Sequence, residues 1–98
     1  MIPFSRRAEQ HVDQLITYFE ERDRFEAVSS LHAALREASD LVERDPDAGL
    51  PAPRPYPQLA RPGRRWMKVG RYWVAYRLKP RLVITGVFYD AADIPGRI

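Results

Sequence analysis

The chain has 98 residues, of which 45% are hydrophobic and 11% aromatic, enough for one packed core, so a single domain over residues 1–98 is expected. Cysteine is absent, which excludes a disulfide scaffold, a thiolate metal site and a cysteine nucleophile together. The net charge of +3 conceals a strong asymmetry: residues 1–50 hold six Arg against eleven acidic residues, or −5, while residues 51–98 hold ten basic residues against Asp90 and Asp93, or +8, so one half is suited to an anionic partner, nucleic acid or acidic protein.

The opening Met1-Ile2-Pro3-Phe4-Ser5-Arg6-Arg7 is not followed by the apolar stretch of a signal peptide. No apolar run approaches the ~20 residues that span a bilayer. A cytoplasmic protein without a membrane partner is expected. Ala8, Val12, Leu15, Ile16 and Phe19 recur at helical spacing, predicting a first helix over 5–21 with Ser5 as its N-cap. Asp23-Arg24-Phe25-Glu26 reads as a capping box that opens a second helix. Phe25, Val28, Leu31, Leu35, Ala38, Leu41 and Val42 then mark its apolar stripe, and Asp45-Pro46 ends it. From Asp45 to Gly63 six prolines stiffen an extended connector, with Tyr56 and Leu59 available to pin it.

The period then changes to that of strands. Arg64–Val69, Tyr72–Leu78 and Leu82–Tyr89 are predicted as three strands, with turns at Gly70-Arg71 and Lys79-Pro80-Arg81. The nearly continuous apolar third strand suits a central position, and Met1–Phe4 offers a short fourth. The predicted fold is α+β: an N-terminal two-helix hairpin packed on one face of a three- to four-stranded antiparallel sheet.

Several strings in this order resemble the RelE/ParE superfamily of bacterial toxins. Glu43-Arg44-Asp45-Pro46-Asp47-Ala48-Gly49 is similar to the proline and glycine that follow the family's second helix. Arg65-Trp66-Met67-Lys68-Val69-Gly70-Arg71-Tyr72 resembles its arginine-bearing strand and glycine turn, and Tyr76-Arg77 the end of the next strand. Val87-Phe88-Tyr89 with Asp93-Ile94-Pro95 resembles the ParE-type last strand and tail. The chain departs from that pattern at Tyr89, where a His is common, at Ala92, where an Arg is common, and at Arg6, where a Pro is usual.

The resemblance implies the toxin of a type II toxin–antitoxin module. Its partner would be a cognate antitoxin whose acidic C-terminal segment wraps the toxin. On the ParE-like branch the toxin inhibits growth by binding DNA gyrase, with no catalysis of its own. On the RelE-like branch it is a ribosome-dependent mRNA endonuclease, with Arg65, Arg77 and Tyr89 as the catalytic candidates. A non-toxic basic binding module is the third alternative.

RNA cleavage by 2′-hydroxyl attack needs a base, an acid and cationic stabilisation. Of the two histidines, His32 is predicted to pack on the apolar stripe and His11 to be exposed. Asp90 and Asp93 lack the spacing of an acid–base pair or a metal site, so neither a metal nor a cofactor is expected. A tyrosine base would have to be brought down ~3 units from its usual pKa, about 4 kcal/mol. The weak acid–base inventory favours the ParE-like branch. Arg64, Trp66, Lys68, Arg71, Lys79 and Arg81 are the candidate contacts for target or antitoxin. Trp66, sharing a face with Arg64 and Lys68, is expected to be exposed, and Trp73 and Tyr76 to be core.

Overall fold

The computed structural model describes residues 1–89 and Ile94. Helix α1 spans Arg6–Glu20 and α2 spans Phe25–Arg44; two single 3-10 turns, Pro46–Ala48 and Pro57–Leu59, lie in the connector. Strands β1 (Arg64–Val69), β2 (Tyr72–Arg77) and β3 (Val83–Tyr89) follow. They form an antiparallel meander in the order β1-β2-β3.

The predicted N-cap of α1 is present: Ser5 Oγ accepts from the Ala8 N–H at 3.1 Å. The predicted capping box of α2 is not, because Asp23 is used to end α1. Asp23 adopts a left-handed φ of 54°, the Arg24 N–H reaches back to the Phe19 carbonyl and the Asp23 N–H to that of Glu20. This is the double bond of a Schellman motif, with Asp23 at its left-handed position. Arg24 therefore precedes α2 without any side-chain cap. Ala27, Leu31, Leu35, Ala38 and Val42 form the buried stripe of α2, while Phe25, predicted on it, is exposed.

The helices cover one face of the sheet, packing on Val69, Tyr72, Val74, Tyr76, Ile84 and Val87. The other face is covered too, which corrects the one-sided packing predicted from the pattern. Ala52, Leu59 and Ile94, with Leu50 and Tyr56, close over Trp66, Trp73, Ala75 and Phe88. The proline-rich connector is thus a second covering layer rather than a strap.

β2, not β3, is the central strand. β3 keeps its apolar character because both faces of the sheet are covered, and its outer edge is closed as well. The Ser5 N–H bonds to the Ile84 carbonyl at 2.9 Å and the Ile84 N–H to that of Pro3 at 3.0 Å. Farther along, the Val87 N–H donates to His11 Nδ1 at 3.1 Å. The proposed fourth strand is reduced to the single parallel bridge Phe4–Ile84, since the chain leaves the edge at Ser5 to begin α1. Among the described residues, the outer edge of β1 is closed by the antiparallel bridge between Leu50 and Trp66 and, at its start, by the Arg64 N–H bonding to the Arg61 carbonyl at 3.2 Å.

Candidate functional site

The cations of the sheet gather at its two ends. Lys68 and Arg71 lie at the β1–β2 turn, both exposed. Arg71 Nη1 donates to the Tyr89 hydroxyl at 3.4 Å, and the same hydroxyl holds the Arg24 guanidinium above its ordinary pKa. At the opposite end Arg77, Lys79 and Arg81 are exposed, with Arg64 directly across from Arg77. Among the described residues none of these side chains is within ion-pair distance of a carboxylate; the ion pair present joins the N-terminal ammonium to Glu43 at 3.9 Å. Unpaired cations keep their full field for a partner.

Between the connector and the outer edge of β1 runs a groove of about 530 Å³, lined by Gly49, Leu50, Arg54, Met67, Lys68 and Gly70 among others. Leu50 and Trp66 exchange both their N–H···O bonds, at 2.7 Å each. By strand periodicity the next outward-facing backbone groups of β1 are those of Lys68, beside the groove. Arg54 and Lys68 both lie over the Trp73 ring, 5.8 and 5.9 Å from its centroid. The two charged ends thus sit against one indole as cation–π contacts, on side chains that are otherwise exposed.

Of the predicted contact residues, Lys68, Arg71, Lys79 and Arg81 are exposed. Arg64 is half-buried and donates from Nη2 to the Leu59 carbonyl at 2.7 Å; burial, then Arg61, pull its pKa below the ordinary value. Trp66 is 0% exposed, against its expected surface position. The connector that covers it has no periodicity from which that coverage could be foreseen. Trp73 and Tyr76 are core, as predicted.

Arg65, Arg77 and Tyr89 do not converge. Arg65 sits across from Tyr76 on the helix-covered face, its Nη1 3.5 Å from the Gly49 carbonyl. Arg77, next to Tyr76 in β2, projects to the opposite face. Tyr89 pairs with Tyr72, five positions from Arg77 along β2, or about 16 Å.

The histidines exchange their predicted places. His32 is exposed and His11 is buried, 8% exposed, its ring 4.8 Å from that of Phe88. Ala8, His11 and Leu15 are spaced by three and four, which is the signal that identifies His11 as inward-facing. Asp90, Ala92, Asp93 and Pro95 lie outside the described residues; Ile94 is buried beside Trp66 and Phe88. Among the described residues no group of three or more His, Asp or Glu is placed to hold a metal, and no helix is long and apolar enough to cross a membrane.

Two helices on a three-stranded antiparallel meander define an α+β fold of the RelE/ParE kind. Residues 2–91 match the family described as the ParE toxin of type II toxin–antitoxin systems, parDE, and the chain belongs to that family. It is therefore the toxin component of such a module, a class defined by a cognate antitoxin. Curated proteins gave no match.

Proposed function

We propose that the protein arrests growth in the cytoplasm by binding DNA gyrase, as the ParE-type resemblance implies, without a reaction of its own. The observation that carries this reading is the separation of Arg65, Arg77 and Tyr89 across two faces and two ends of the sheet. General acid–base cleavage needs its groups within hydrogen-bond reach of one substrate atom. Exposed cations without carboxylate partners need only a complementary surface. Lys68, Arg71, Lys79 and Arg81 are its contact residues.

The antitoxin would occupy the β1 edge. An acidic, partly disordered segment there would add a strand beyond Leu50, pairing with the Lys68 backbone while its carboxylates meet Arg54 and Lys68. Expression without antitoxin is the test. Filamentation with a DNA-damage response is expected, and Tyr89→Phe should leave it intact. Rapid loss of translation with cleaved messages, abolished by Tyr89→Phe, would establish the RelE-like endonuclease instead.

A further inference from the structure

Cations gather where β1 begins and β2 stops. Residues 48–89 hold seven Arg and two Lys and no Asp or Glu, and Arg61, Arg64, Arg77, Lys79 and Arg81 fall at this end of the sheet. Arg61-Pro62-Gly63-Arg64 is a turn: Gly63 takes a left-handed φ of 76° and the Arg64 N–H bonds to the Arg61 carbonyl at 3.2 Å. Proline second and left-handed glycine third are the residues of a type II turn, which brings its first and fourth residues together. Arg77 pairs with Arg64 across the strands, so their side chains share the connector-covered face with Cβ atoms about 5 Å apart. Lys79 and Arg81 follow in the β2–β3 turn, both exposed.

This arrangement opposes folding. Like charges directly opposite on neighbouring strands destabilise a sheet, and Arg61 bears on the same pair: burial first, then Arg61, hold the Arg64 pKa below its ordinary value. Among the described residues none of the five has a carboxylate within ion-pair distance. Asp45 and Asp47 act on Tyr76, which faces the helices, away from Arg77. Two of the guanidinium groups are held on neutral carbonyls instead. Arg61 Nη1 donates to those of Gln58 and Ala60, at 3.3 and 2.8 Å, and Arg64 Nη2 to that of Leu59, at 2.7 Å. Such bonds fix where the charges stand without neutralising them. A ligand with several closely spaced negative charges removes the repulsion and finds its cations already in place.

We infer that this corner binds the phosphate backbone of duplex DNA, without reading its sequence. A row of phosphates matches several adjacent cations, where a single carboxylate matches one. Single strands are held by stacking on exposed rings. The rings that flank these cations in β1 and β2, Trp66 and Tyr76, are 0% exposed, which favours the duplex. The choice of DNA over RNA rests on the gyrase reading and deepens it: in the complex with gyrase, Lys79 and Arg81 meet the DNA that the enzyme handles.

Fluorescence anisotropy of the full-length toxin with a short labelled duplex of mixed sequence, gyrase absent, tests this across ionic strength. Contacts from the exposed Arg61, Arg77, Lys79 and Arg81 predict a log–log salt slope of about −3.6, a loss of roughly 150-fold in affinity between about 50 and 200 mM salt. Arg77→Gln with Lys79→Gln should bring the slope to about −1.8. The same pair should not lower the urea midpoint, because it relieves repulsion. Arg22→Gln with Arg36→Gln makes an equal change of net charge at exposed positions outside the sheet and should leave the slope as it was. Equal loss from both pairs, or a slope near zero in the unaltered protein, overturns the inference. Tighter binding to single-stranded RNA also overturns it, as does displacement of the duplex by polyglutamate of the same total charge, which assigns the corner to an acidic protein. DNA binding that passes these tests while supercoiling stays undiminished contradicts the gyrase reading alone.

Discussion

The Tyr76 hydroxyl joins the sheet to the start of the connector. It accepts from the Gly49 N–H at 3.1 Å and donates to the Pro46 carbonyl at 2.7 Å. Tyr76→Phe leaves a buried N–H without its acceptor, so a loss of about 1–3 kcal/mol is expected. Urea unfolding checks it as a lower midpoint at unchanged slope. Gly49→Ala acts on the same joint, because a Cβ there would collide with the Tyr76 hydroxyl and the Arg65 Cβ. Burial also raises the pKa of Tyr76 and of Tyr72, whose neighbour Tyr89 adds to the effect. A raised folded-state pKa means that the unfolded chain ionises first. The stability from these two groups is complete below pH ~10 and is lost as pH rises through their folded values. Tyrosinate absorbance and urea midpoints measured across that alkaline range should move together.

The turn between α1 and α2 separates two readings of one residue. As the left-handed terminator of α1, Asp23 carries a conformational cost that glycine lacks, so Asp23→Gly should raise stability by about 1 kcal/mol. A capping residue for α2 would give the reverse, a loss of a few tenths. Ser5→Ala, at the real cap, should cost about 1 kcal/mol. Thermal unfolding of both variants decides the matter. Both helices and all three strands were legible from periodicity, because each has a buried stripe or face that the pattern must repeat. His11 faces inward, as its helical spacing from Ala8 and Leu15 dictates, although its polarity alone points it at water. His32 faces water because the stripe of α2 runs through Ala27, Leu31 and Leu35, one position and about 100° away. The connector was legible in part: Tyr56 and Leu59 mark it as pinned, and both pack on the sheet, but prolines announce only extension, and which surface an extended chain covers depends on tertiary placement. Trp66 therefore looks exposed in the sequence.

Charge and edge exposure set how the toxin meets its partners. The acidic half builds the two helices and the basic half builds the meander, so the acidic antitoxin segment proposed above would be steered to the sheet. Its association rate should fall as salt rises, with little change in dissociation; stopped-flow measurement across ionic strengths checks this. Lys68→Glu with Arg54→Glu should slow association further at low salt and remove most of the salt dependence. A rate indifferent to both would place the antitoxin elsewhere than the β1 edge. The family defines a toxin, and the dispersed Arg65, Arg77 and Tyr89 favour one that works by occupying its target. DNA supercoiling by purified gyrase, with the toxin titrated in, tests that claim most directly. Supercoiling should fall as toxin approaches gyrase in amount and return when antitoxin is added. Undiminished supercoiling at large molar excess, from protein that still arrests growth, would contradict it.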